Sequence, residues 1–312
     1  MPATPNKTDH ERPIEPTLTY TTLTGYFVQD DPATDPSSFR YNESNFGLID
    51  QRYDTSDSES SDQDTTQWQR FARKVSHLNR QSGARTQYKV LYLGRHGEGV
   101  HNVAEDYYGT AAWDDYWSKQ DGNGTVTWAD AHLTKTGVAQ AQAAHVFWKT
   151  QISEEKTPVP ASYYTSPLHR CLDTAKITFG GLHLPSSRPF KPIVKELLRE
   201  AIGIHTCDRR SSKTSIHEAF PSYTIEDGFA EVDQLWEADV RETDVEITAR
   251  MHRLLDDIFL RDENTYISFS SHSAAIAGIL RALGHREFRL NTGAVIPVLV
   301  RADASHGGPS GR

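Results

Sequence analysis

Arginines, histidines and a carboxylate recur in this chain directly after short apolar runs. YKVLYL (88–93) empties into Gly94-Arg95-His96-Gly97-Glu98. ASYYTS (161–166) is followed by Pro167-Leu168-His169-Arg170, PIVKEL (192–197) by Leu198-Arg199-Glu200, and TYISFS (265–270) by Ser271-His272-Ser273. Arginine offers a planar, permanently charged fork that can grip two oxygens of an anion. Histidine titrates near neutrality, and a carboxyl group can pass a proton. Each group taken alone has a plain structural reading: a lone histidine satisfied in a core, an arginine in a surface ion pair worth under about 1 kcal/mol, a glutamate favouring a helix start. Four such clusters at successive strand ends point instead to one joint site, where something anionic meets a reactive imidazole.

For these groups to meet, the apolar runs must be neighbouring strands. A continuous run such as 88–93 is what a parallel sheet buries on both faces. Between the runs the spacing turns helical: Val138, Ala141, Ala144 and Trp148 in 133–149, a helix over 168–179, and Ile247, Met251, Leu254, Leu255 and Ile258 in 244–260. A further helix follows 265–270, and a last strand is expected at 294–300, with Pro297 marking an edge position. Strands alternating with helices predict an α/β fold, a three-layer sandwich whose mostly parallel central sheet carries helices on both faces. In such sheets ligands bind beyond the carboxyl ends of the strands, which is where the charged clusters lie.

Residues 1 to about 18 read as a loose polar arm, and 19–49 as irregular chain packed on the domain surface. The run DTSDSESSDQDTT (54–66) reads as a solvated acidic loop, and a short helix is expected at 67–80. The expected division is an amino-terminal arm and wrapping segment over 1–85, one catalytic domain over 86–302, and a disordered tail over 303–312. The formal net charge of −9 repels polyanions, so neither nucleic acid nor a membrane surface is an expected partner. Two cysteines, Cys171 and Cys207, make no disulfide framework. With no secretory signal and no apolar run of spanning length, a cytoplasmic setting is expected.

The motifs carry a resemblance. Arg95-His96-Gly97-Glu98 with Asn102, then LTKTGVAQA (133–141), SPLHRCLDTA (166–175), LLREAIG (197–203) and SSHSA (270–274), resemble in type and order the histidine phosphatase superfamily, also called phosphoglycerate mutase-like. The likeness spans residues 88 to about 300, and RHGEGVHN with TCDRR is most similar to a fungal branch of phosphoglycerate mutase-like proteins. The resemblance implies that His96 is a nucleophile forming a phosphohistidine, that Arg95, Arg170, a protonated His272 and Asn102 cradle the phosphoryl group, and that Glu200 is the proton donor. Glu196, four residues earlier, competes for that last role from inside the expected strand. Gly94 and Gly97 are read as permitting a tight bend and close phosphate approach, and Glu98 with Thr134 as supporting the pocket or touching substrate. The acid phosphatase and phytase branch, with RHGxRxP and a His-Asp pair, is disfavoured, because His272 precedes Ser273 and no arginine follows Glu98.

His205, Arg209 and Arg210 either form a solvated basic turn or grip a second anionic group, and Trp113, Trp117 and Trp128 either roof the pocket or fill a core. No metal-ligand constellation or Walker-type loop is evident, so no metal and no cofactor are expected. The expected activity is a metal-independent phosphomonoesterase acting on a small phosphate ester. The alternatives are a cofactor-dependent phosphomutase, although the Glu-Arg-His-Tyr-Gly context is missing, and a catalytically silent phosphate-ligand-binding protein. The oligomeric state is not legible.

Overall fold

The computed structural model describes residues 16–53 and 65–305. Most of the amino-terminal arm, residues 54–64 of the acidic run and residues 306–312 of the expected tail lie outside them. In chain order the elements are β1 (Thr17–Thr22), α1 (Gln67–Gln81), β2 (Thr86–Arg95), α2 (Val100–Tyr108), α3 (Thr110–Asp115), α4 (Lys135–Thr150), β3 (Ser162–Thr165), α5 (His169–Phe179), β4 (Pro192–Val194), α6 (Lys213–Ala219), β5 (Thr224–Ile225), α7 (Asp244–Arg261), β6 (Tyr266–Ser271), α8 (Ser273–Ala282) and β7 (Val295–Ser305).

The strands form one sheet in the order β1-β7-β2-β6-β3-β4-β5. β2, β6, β3, β4 and β5 run parallel, while β7 is antiparallel to β2 and β1 to β7. Successive side chains of a strand point to opposite faces, which explains why Val90 to Leu93 are apolar without alternation. Leu91 and Leu93 pack with Met251, Leu254 and Ile258 of α7 and Ile276 and Leu280 of α8. Val90 and Tyr92 pack on the other face with Trp68 and Phe71 of α1 and Trp148 of α4. The three-layer α/β architecture follows.

Four expectations change. Thr17–Thr22 is not irregular surface chain but the edge strand of the sheet, and Phe27 and Phe46 are wholly buried against α1 and α4. Residues 303–305 complete β7, pairing with Thr17–Thr19, so they do not belong to a disordered tail. The strand expected at 192–197 stops at Val194, and Glu196–Leu198 forms a 3-10 turn. Pro297 is not at the sheet edge as expected: it pairs with Tyr92 in the second strand, but β1 pairs only from Val300 onward, so on that side no strand faces it and Gln29 Nε2 donates to its carbonyl at 3.2 Å.

Candidate active site

Register brings the charged clusters together. Gly94 and Thr165 both pair with Ser270, and Arg95 pairs with Ser271, so the chain leaves β2, β3 and β6 at one level. His96 follows β2, its amide donating to the Ser271 carbonyl at 2.9 Å and its own carbonyl accepting from the Gly293 amide at 2.8 Å. The imidazole is 1% exposed. Its Nδ1 lies 2.6 Å from the Gly97 carbonyl oxygen, a bond that requires a proton on Nδ1 and leaves the lone pair on Nε2. Burial, then Arg170 and Arg95, push the ring well below the usual histidine range. His96 is therefore a neutral imidazole with a fixed tautomer.

Two further histidines surround it. The His272 ring centroid is 5.1 Å away and that of His101 5.5 Å. His272 Nε2 is 2.7 Å from Ser166 Oγ and 3.3 Å from Cys171 Sγ. Burial and then Arg170 push His272 well below its ordinary value, against the protonated form that the resemblance implies. Arg170 is wholly buried; its Nη1 donates to the Cys207 carbonyl at 2.7 Å and its Nη2 to Asp208 Oδ1 at 2.8 Å. Arg95 Nη1 donates to the Leu290 carbonyl at 2.8 Å. The Nε donors of both arginines and the Nδ1 of His101 are buried without a partner among the described residues. Each such group costs about 1–3 kcal/mol until something accepts from it or fills the gap.

In front of this cluster opens a cavity of about 260 Å³ lined by Arg95, His96, His101, Asn102, Glu200 and His205, among others. Asn102 Oδ1 caps α2 by accepting from the Gly99 amide at 2.9 Å. The Glu200 carboxylate sits at the amino end of α8, accepting from the Ala274 amide at 3.0 Å, the Ser273 hydroxyl at 3.1 Å and the Ala201 amide at 2.9 Å. Those donors fix its direction. Its rival Glu196 is turned away, bonded to Arg199 Nη1 at 2.9 Å and Arg210 Nε at 2.8 Å.

Six expected residues do not line the cavity: Arg170 and His272, which are wholly buried, and four more. Glu98 Oε1 accepts from the Thr134 hydroxyl at 2.5 Å and does not line it. Arg209 lies on the surface with Asp121 at 2.7 Å and over the Trp236 ring. Arg210 is buried against Glu196, the carbonyls of 230–232 and the Phe229 ring. Gly97 is needed for packing: a Cβ there would overlap the Gly137 carbonyl of α4. Cavity residues missed in the sequence are His101, Glu105, Asp208, Arg241 and Arg289. Asp208 ties the site together, holding Arg170 on one oxygen and Arg241 Nη1 at 3.3 Å on the other. Trp113 lines the cavity and also packs with Trp128.

The profile of the histidine phosphatase superfamily, branch 1, matches residues 91–292. The chain is 54% identical over 296 residues to a protein of Arthroderma benhamiae called "Probable phosphoglycerate mutase", covering 95% of this chain and 88% of that one. It is 40% identical over 214 residues to "Phosphomutase-like protein 3" of Candida albicans, covering 68% and 65%. It is 32% identical over 231 residues to "Probable phosphoglycerate mutase PMU1" of Saccharomyces cerevisiae, covering 68% and 78%.

Proposed function

Since the chain belongs to the histidine phosphatase superfamily, branch 1, we propose that it is a metal-independent phosphomonoesterase of a small phosphate ester, acting through a phosphohistidine on His96. The observation that carries this reading is the 2.6 Å contact of His96 Nδ1 with the Gly97 carbonyl, which presents an unprotonated Nε2 as nucleophile. In the first step Nε2 attacks phosphorus while the ester oxygen leaves with a proton from Glu200. In the second a water loses its proton to the Glu200 carboxylate and attacks the phosphohistidine, so that phosphate departs and Nε2 is restored.

The charge on the transferring group is met by arginines. The partnerless Nε donors of Arg95 and Arg170 support an oxyanion site, and Asn102 and His272 complete it. Of the basic residues expected to hold a second substrate anion, only His205 remains at the cavity, joined by Arg241 and Arg289.

A phosphomutase reading is favoured by the names of the relatives. The two differ in the fate of the phosphoryl group. During turnover of a labelled ester, base-stable, acid-labile label is expected on His96, with inorganic phosphate as the product in excess chelator. Label on another residue would overturn the assignment, and an isomeric ester without free phosphate would make the protein a mutase.

A further inference from the structure

A cluster at the amino-terminal end of α5 takes no part in this chemistry. His132, in the loop before α4, and His169 and Asp173, one helical turn apart on α5, bring one ligand atom each to within 4.8 Å of one another. We propose that these three residues form a separate binding site for a borderline-soft divalent cation of the Zn²⁺ class.

Spacing of i and i+4 places His169 and Asp173 on one helix face, and His132 closes over them. His132 Nδ1 lies 3.9 Å from Asp173 Oδ2, slightly wider than the roughly 3.3 Å between ligand atoms of a tetrahedral zinc. The His132 side chain is 64% exposed, so its ring can swing that distance without repacking. The ring centroids of His132 and His169 are 4.3 Å apart.

His169 Nδ1 is buried without a hydrogen-bond partner, which leaves a ring nitrogen to be satisfied. Two imidazoles and one carboxylate with open positions suit zinc, whereas magnesium and calcium prefer oxygen ligands. The His132 carbonyl accepts from the Val100 amide at 2.9 Å, and Arg170 follows His169. An ion here would therefore fasten the loop ahead of α4 to the helix that carries Arg170.

The test is Zn²⁺ binding to the full, chelator-stripped chain in competition with a chromogenic chelator, with thermal melts alongside. One equivalent should bind and raise Tm, while Mg²⁺ at the same concentration should do neither. His132→Ala and Asp173→Asn, each checked for native circular dichroism, should lose both effects, and His205→Ala should keep them. No binding by the wild type would overturn the proposal. So would binding that survives both variants and disappears in His205→Ala, because the ion would then sit at the other group, His205, Cys207 and Asp208. The readout is metal, not turnover, so the outcome stands apart from the phosphatase reading.

Discussion

The division of labour between two glutamates four residues apart shows how much depends on which partner claims a side chain. Glu200 faces the cavity from the amino end of α8, whereas Glu196 is held between Arg199 and Arg210. Glu200→Gln should therefore slow turnover by about 10²–10⁴-fold on an alkyl phosphate, the range of general acid–base catalysis. It should scarcely affect phosphoenzyme formation from p-nitrophenyl phosphate, whose leaving group needs little protonation. Glu196→Gln should leave kcat nearly unchanged but cost about 1–3 kcal/mol of stability, by taking a charged acceptor from the Arg199 and Arg210 guanidinium groups, which keep their other partners. Equal losses on both leaving groups, or a larger kinetic loss for Glu196→Gln, would move the acid. His96, His272, Arg95, Arg170 and Glu200 were legible because each follows an apolar run. Arg209 and Arg210 stayed open between a basic turn and an anion grip because no local pattern reveals that Asp121 and Glu196 engage them. Arg241 and Arg289 escaped notice for the opposite reason: they reach the cavity from loops with no motif of their own.

At the scale of elements, the turn that presents His96 is braced by α4. A Cβ on Gly137 would overlap the Glu98 carbonyl, as one on Gly97 would overlap Gly137. Gln140 Oε1 accepts from the Glu98 amide at 2.7 Å, and Gln140 Nε2 donates to Thr292 at 3.0 Å. Two backbones in contact leave no flexible side chain to give way. Gly→Ala inside a helix ordinarily gains roughly 1 kcal/mol through propensity. Here Gly137→Ala should instead lose about 1–3 kcal/mol through overpacking, with kcat falling as the turn shifts. A Tm at or above that of the wild type would show that the crossing is looser than the geometry indicates. Strand and helix periodicity was readable for the long elements, because both faces of β2 are buried and each helix has one apolar stripe. β1 was not, since TLTYTT on an edge shows no buried run and only Leu18 enters the core deeply. Nor was the short β5, or the segment of α2 and α3, where Trp113 and Trp128 pack among themselves and against Cys207 rather than along a helical stripe.

For the whole molecule, the site is a stability liability at acid pH. No helix among the described residues is long and apolar enough to cross a membrane. Burial within the fold takes in His96, His101 and His272. All three lie well below the ordinary value of 6.5, through burial first and Arg170 next. Below that value the unfolded chain binds protons at these rings and the folded chain does not. The unfolded state thus binds more protons, so stability rises with pH through this window and is lost as pH falls. Each ring can contribute up to about 1.4 kcal/mol per pH unit, the three together up to about 4. Carboxylates held low, such as Asp233 through Arg199, act only below their ordinary 3.8, outside the range from pH 5 to 7. Urea midpoints should therefore fall steeply between pH 7 and pH 5 and stay level between pH 7 and pH 8. His169 and His205 are held low as well, so His101→Asn removes one of several such rings and the slope should drop by less than one third, whatever happens to the height of the curve. A midpoint that is flat from pH 5 to pH 7 in the wild type, or an unchanged slope in the variant, would mean that these histidines take up protons in the folded state and that the neutral His96 on which the chemistry rests is not the resting form.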